Sequence, residues 1–155
     1  MNDKDLDNAL TNLLLDVVES VPDTIQWKTI FGLVNLEFSP NVIVSMNLQA
    51  LTEQGEFVNL MEHIPGAMRR RLSRTFSVFV RENFYEKPEQ MSFTIHSTLE
   101  TYTNFAYDLF NDENSFLAEQ LRWTYNLTNK VPEGNYLRDM LNENLALHNE
   151  PPIQE

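Results

Sequence analysis

Residues 24–65 read TIQWKTIFGLVNLEFSPNVIVSMNLQALTEQGEFVNLMEHIP, and this stretch decides the fold class. β-Branched and aromatic residues dominate it. It is interrupted by Ser39-Pro40 and by the sequence TEQGE, in which Gly55 can adopt a positive φ. The pattern predicts three strands, over 25–38, 41–51 and 57–64. Because the strands follow one another through short turns, we expect an antiparallel meander.

The segment before this stretch has the period of an amphipathic helix. Over residues 3–20, apolar side chains recur at three- and four-residue spacing: Leu6, Leu10, Leu13, Leu14, Val17 and Val18. Acidic residues in the first turn favour the positive end of the helix dipole. Pro22 ends the helix.

A second helical period follows the stretch, over residues 67–85. Its apolar stripe comprises Met68, Leu72, Phe76, Phe79, Val80 and Phe84, and its reverse side carries Arg70, Arg74, Ser77 and Arg81. Pro88 ends this helix. The arginines could attract phosphate, but the stripe is narrow and the surrounding charge is negative. We therefore expect a solvated helix face whose arginines pair with neighbouring acids.

The last third of the chain combines a predicted strand pair with helical segments. Residues 91–110 are strand-like with a turn near Glu100, and residues 135–147 have a helical period. Residues 112–128 fit either a helix or a short irregular element, and propensity leaves open whether Trp123 and Tyr125 lie on a strand or a helix. A Val-Pro-Glu-Gly break precedes the last helix.

Together these segments predict an α+β fold. We expect an antiparallel β-sheet of about five strands packed against N-terminal, central and C-terminal helices. A chain of 155 residues fits a single domain, which we place at 1–147, with 148–155 as a flexible tail.

The charge of the chain is strongly negative and unevenly placed. It carries 23 acidic and 11 basic residues, a net charge of −12, with −8 in residues 1–62, +4 in residues 63–87 and −8 in residues 88–155. Nucleic acids and anionic membranes are polyanions held mainly by Lys and Arg, so we expect direct binding to neither. A basic protein would be attracted instead. Composition alone leaves open whether the surplus serves only solubility.

The sequence contains no cysteine, and its first residues are not typical of a targeting signal. The absence of cysteine excludes disulfides and thiolate metal sites and fits a reducing compartment. The acidic start MNDKDLDNAL differs from a secretory signal, and no apolar run approaches the ~18–20 residues that span a bilayer. We expect a cytoplasmic protein.

Motifs for catalysis are weak. The three histidines, His63, His96 and His148, are far apart in sequence, and no glycine-rich phosphate loop is present. Acid pairs such as Asp3 with Asp7, or Asp112 with Glu113, could bind a hard cation, although a solvated face is the more ordinary interpretation. We expect no enzyme activity and no cofactor, and a small metal-dependent enzyme is a weak alternative.

In their order and spacing, several of these pieces resemble the YezG-type immunity proteins, a family that includes EsaG-like antitoxins. The family's opening helix, Ile-Pro and Trp, and its hairpin ending in Ile-Pro, are matched here by Val21-Pro22, Trp27 and Ile64-Pro65. A long helix and a strand pair follow in both. The family's aromatic WKYxxLG…P-E…Y stretch is matched by Trp123, Tyr125, Leu127, Pro132, Glu133 and Tyr136.

The resemblance implies a non-catalytic immunity protein that binds and neutralises the nuclease domain of a secreted antibacterial toxin. The charge agrees, because a nuclease needs a basic cleft to hold phosphates. We expect a monomer in a 1:1 complex, with contacts from acids on exposed turns: Glu53, Glu56, Asp108, Asp112 and Glu113. The alternative is an acidic nucleic-acid mimic or adaptor that inhibits a host DNA-binding enzyme. That function needs a regular array of acids, which the +4 segment interrupts.

Overall fold

The computed structural model describes residues 3–39 and 42–154, and it has the α+β fold that the sequence predicts. Five antiparallel strands form one sheet in the order β3-β2-β1-β4-β5. The elements in chain order are α1 (Asp3–Ser20), β1 (Trp27–Glu37), β2 (Ile43–Thr52), β3 (Phe57–Asn59), a 3-10 turn (Leu60–Glu62), α2 (Gly66–Asn83), β4 (Gln90–His96), β5 (Thr101–Ala106), α3 (Phe116–Thr128) and α4 (Asn135–Leu147). Pro40 and Asn41, on which a predicted break and strand start fall, lie outside the described residues.

The central strand β1 pairs with β2 on one side and with β4 on the other. Val34, for example, lies opposite Met46 on β2 and opposite Met91 on β4. Successive residues of a strand point to opposite faces of a sheet, so this register places whole apolar rows on one face. The predicted meander is confirmed for the first three strands, and α2 connects them to the hairpin of β4 and β5.

One face of the sheet forms a core with α1 and α2. The strands contribute fully or almost fully buried side chains such as Ile30, Leu36, Leu48, Met91 and Ile95, and the helices contribute Leu13, Leu14, Val17, Leu72, Phe76 and Val80. Each such side chain stabilises the fold by roughly 1.5–3 kcal/mol relative to leaving it in water. The helical periods in the sequence thus predicted the correct buried sides. Ser77 is an exception, because it is buried rather than on the solvated side of α2.

The third strand is much shorter than the predicted range of 57–64, which was wrong after Asn59. The side-chain oxygen of Asn59 accepts a hydrogen bond from the backbone N–H of Met61 at 3.1 Å and starts a 3-10 turn. That turn buries Leu60 completely in the core. A local side-chain cap and one buried leucine therefore replace the strand hydrogen bonds that a β-propensity pattern suggests.

The chain divides by its contacts into two compact units, Met1–Asp108 and Leu109–Glu155. The first unit contains the sheet with α1 and α2, and the second contains α3 and α4. The prediction of a single domain over 1–147 requires that the residues of both units fold together, and it stays a prediction. Within the described ranges, no helix combines the length and the apolar character needed to cross a lipid bilayer.

The second unit settles the placement of the two aromatics that propensity left open. Trp123 and Tyr125 lie on α3, which begins where the Ser115 hydroxyl accepts a hydrogen bond from the N–H of Ala118. The helix ends at Asn129, whose left-handed backbone places its N–H on the carbonyl of Tyr125 at 2.8 Å. The predicted break is confirmed, since Gly134 has a φ of +88° immediately before α4.

Candidate protein-binding surface

Two of the predicted contact acids, Glu53 and Glu56, are exposed on the turn between β2 and β3. The N–H of Thr52 donates to the carbonyl of Glu56 at 2.8 Å, and the Thr52 hydroxyl accepts a hydrogen bond from the N–H of Glu56 at 3.2 Å. Gly55 closes the turn with a φ of +84°. The hydrogen bonds fix the backbone of this turn, which therefore presents both carboxylates at low entropic cost to a partner.

Asp108 is also exposed, but it lies at the opposite corner of the sheet. Thr52 pairs with Trp27 at one end of β1, whereas β5 ends at Ala106, which pairs with Gln90 near the other end of β1. Three to four strand spacings and about eight residues of strand separate the two places, a distance of about 30 Å. One side of a standard interface is about that wide, so a single partner could contact both places only at opposite rims of its interface. The structure therefore does not bring Glu53 and Glu56 together with Asp108.

Asp112 and Glu113 belong to the second unit and stand side by side on the turn before α3. Both are exposed. The N–H of Glu113 donates to the side-chain oxygen of Asn111 at 2.8 Å, and Asn111 also forms a short antiparallel bridge with Asn114. The pair is thus a second acidic turn with a hydrogen-bonded backbone.

The α2 arginines were expected to pair with neighbouring acids, but among the described residues they do not. Arg69, Arg70, Arg71, Arg74 and Arg81 are all exposed, and in residues 3–39 and 42–154 none of them forms an ion pair with a carboxylate. Arg69 donates to the carbonyl of Met61 and Arg81 to the hydroxyl of Ser77, both at 3.4 Å. The first turn of α2 contains no acidic residue. This helix therefore carries an uncompensated positive face.

The second unit contains a buried polar cluster that was not predicted from the sequence. Glu119 is fully buried on α3, and its carboxylate accepts hydrogen bonds from Asn114 at 2.8 Å, Arg122 at 2.7 Å and His148 at 2.6 Å. Arg122 also donates to Asn144 on α4 and to Glu150, both at 2.9 Å. These six residues are called the Glu119 cluster below.

The Glu119 cluster holds its central carboxylate in the ionised form. Burial alone would raise the pKa of Glu119, but the hydrogen bonds from Asn114, Arg122 and His148, together with the charge of Arg122, outweigh burial and lower the pKa below its ordinary value. Because the cluster satisfies its own hydrogen bonds and joins α3, α4 and the residues after α4, we interpret it as structural.

The cluster also bears on the tail predicted for residues 148–155. His148 and Glu150 bond to side chains of α3, and the N–H groups of Ile153 and Gln154 donate to Asn142 and to the Tyr125 hydroxyl. These residues are therefore held against the helices. No local pattern in the sequence predicts these contacts, because each joins positions at least 11 residues apart.

The other candidate metal ligands and bases have ordinary surroundings. His63 is exposed, and a ring nitrogen of His96 lies 3.3 Å from the Thr29 hydroxyl. Within the part of the chain that the structure describes, no three His, Asp or Glu side chains are placed to hold a metal ion together. The side chain of Asp3, a member of one suggested acid pair, lies outside that part.

Comparison with known proteins adds no relative of the chain. No family model matches it, and no curated protein is significantly similar in sequence. The resemblance to YezG-type immunity proteins stays a hypothesis.

Proposed function

We propose that this protein is a non-catalytic immunity protein that binds and neutralises the nuclease domain of a secreted antibacterial toxin in the cytoplasm of the producing cell. The observation that carries the proposal is the presentation of paired, exposed carboxylates on hydrogen-bonded turns of an acidic protein. The order of sequence pieces shared with the YezG-type family supplies the class of partner.

The electrostatics of such a pair are favourable. Residues 1–108 carry 15 acidic and 8 basic side chains, and residues 109–155 carry 8 acidic and 3 basic ones, so both units are negative. A nuclease that binds phosphate needs a basic cleft. An acidic inhibitor is steered to that cleft and places carboxylates against its Lys and Arg side chains.

The nucleic-acid mimic is the less favoured function. A duplex-like mimic needs acids in a regular array, but the candidate contact acids of the first unit lie at two corners about 30 Å apart. The exposed arginines of α2 further interrupt the negative surface. An immunity protein has no such requirement, since its interface can use one acidic turn.

The test is co-expression with nuclease domains of secreted antibacterial toxins, starting with any that is encoded beside this chain. We expect the wild-type chain to restore growth and to bind the purified domain in one-to-one ratio of chains by calorimetry. Absence of rescue, or turnover of a substrate by the purified chain itself, would overturn the proposal.

Charge reversal then tests which acidic turn makes the contact. The variants are Glu53→Lys with Glu56→Lys, Asp108→Lys, and Asp112→Lys with Glu113→Lys. We expect at least one of them to weaken binding by about tenfold or more, the effect of losing close charge pairs. Glu133→Lys with Asp139→Lys is the matched control, because both residues are exposed outside these turns. Unchanged affinity in all three variants would contradict charge matching.

A further inference from the structure

The helices α1 and α2 of the first unit have opposite charges. They contact each other and cover the same face of the sheet. By sequence, α1 contains five acidic residues and one basic residue, and α2 contains five basic residues and one acidic residue. The helical layer that they form is therefore negative on one side and positive on the other by equal amounts.

Several charges of this layer have no ion-pair partner among the described residues. The arginines of α2 have no carboxylate partner among the described residues, and the same holds for the carboxylates of Asp16 and Glu19 on α1. Apolar side chains lie between the charges on both helices, since Leu15 is 42 % exposed and Val78 is 38 % exposed. Two such side chains are not an apolar patch, so complementary charge is the main feature that this layer offers to a partner.

We propose that the α1–α2 layer binds the same layer of a second copy of this chain. A two-fold axis that runs along the layer, between its two helices, places α1 of each copy over α2 of the other. The negative helix then meets the positive helix twice, as an isologous dimer requires. Leu15 and Val78 of both copies become covered. The proposal replaces the expected monomer and leaves a one-to-one ratio of chains with a toxin unchanged.

The same geometry disfavours an extended polyanion on this layer. Each helix is 18 residues long and the two lie side by side, so a phosphate backbone bound to α2 would run close to the acids of α1. A second copy avoids that repulsion, because its positive α2 lies over the negative α1 and its negative α1 over the positive α2. The charge pattern thus fits a second copy of this chain better than it fits nucleic acid.

The size of the layer indicates a weak dimer. Two helices of about 27 Å, each about 10 Å wide, bury on the order of 1,000 Å² in total when two layers meet. That is the lower limit for a specific interface. The net charge of each copy opposes association, but at about 0.15 M salt repulsion beyond about 8 Å is screened. We expect a dimer that forms with increasing protein concentration.

The experiment measures mass by sedimentation equilibrium over about 10–500 µM, the range suited to an interface of this size. The wild-type chain should rise from 18.1 kDa towards twice that mass. Arg70→Glu with Arg74→Glu should abolish the increase, and so should Asp16→Arg with Glu19→Arg. An equimolar mixture of the two variants should recover it, because the mixture restores both helix pairings.

Sedimentation equilibrium of a control variant separates the effect of net charge from the effect of the layer. Lys28→Glu with Lys130→Glu changes the net charge as much as the arginine variant does, at exposed positions outside the layer, and should still dimerise. Far-ultraviolet circular dichroism checks that every variant is folded. A wild-type mass of 18.1 kDa throughout, or failure of the mixture to associate, overturns the proposal. Neither result bears on rescue from a toxin.

Discussion

At the scale of single residues, Gly32 leaves the space that one aromatic ring of the core occupies. Gly32 lies opposite Phe93 across the β1–β4 pairing, and the Phe93 ring stacks on Phe76 with 5.9 Å between the centroids. A Cβ atom on residue 32 would lie 2.1 Å from the end of the Phe93 ring. The ring is buried between β1 and α2, so it has little room to move aside.

We therefore predict that Gly32→Ala lowers the free energy of unfolding by about 1–3 kcal/mol, the usual cost of overpacking a core. Urea denaturation measures it. Gly66→Ala is the control, because the nearest atoms to its new Cβ are the flexible ends of Arg70 and Arg69 at 3.4 and 3.5 Å. That control should be neutral or slightly stabilising. Equal stability of Gly32→Ala and wild type would contradict the packing argument.

At the scale of elements, the hydrophobic period of the sequence predicted the secondary structure and the buried face of individual helices. The apolar sides of α1 and α2 follow from spacing alone, because burial of one face needs only a neighbouring sheet. The strand predicted over 57–64 was wrong after Asn59, whose side chain caps a turn. The Glu119 cluster could not be predicted as a whole. Glu119 and Arg122 are three residues apart on α3, but His148 and Glu150 reach them only after α3 and α4 pack.

For the candidate contact acids, too, local properties were predictable from the sequence and relative positions were not. Exposure of all five acids was predictable from their place in turns, but their separation into distant corners depends on strand order. The order β3-β2-β1-β4-β5 puts β3 and β5 on opposite edges, and no local pattern in the sequence encodes it. The unpaired state of the α2 arginines likewise depends on which acids the fold brings near.

The Glu119 cluster predicts an acid-sensitive second unit. Because folding lowers the pKa of Glu119, its carboxylate contributes full stability above the ordinary carboxyl pKa of about 4.3, and this contribution is lost as pH falls through the lower folded pKa. Glu119→Gln should cost about 2–4 kcal/mol at pH 7, since it leaves Arg122 partly unpaired. The difference from wild type should shrink as pH falls below the ordinary carboxyl pKa.

Denaturation of the two chains at a series of pH values measures this difference. Glu133→Gln, an exposed acid between α3 and α4, is the matched control and should follow wild type at every pH. A gap between Glu119→Gln and wild type that stays constant into acid would show that the variant acts through packing rather than through the carboxylate charge.

At the scale of the whole molecule, charge rather than shape is the feature that a distant partner meets first. Beyond about 10 Å at 0.1 M salt, the separate acidic turns merge into one screened negative field. The net charge of −12 therefore acts on the encounter rate with a basic domain, whereas the individual turns act on the lifetime of the complex. These two contributions can be separated by kinetics.

We predict that association with the cognate nuclease domain slows by about tenfold or more between about 0.02 M and 0.5 M salt, because steering is screened, while dissociation changes far less. Stopped-flow fluorescence or surface plasmon resonance measures both rates. Lys4→Glu with Lys130→Glu makes the chain more negative at exposed positions outside the three acidic turns, so it should speed association at low salt and leave dissociation unchanged. Reversal of the acidic turn that makes the contact should instead speed dissociation. An association rate that is flat across this salt range would show that the acidic surplus of this chain serves solubility and not recognition.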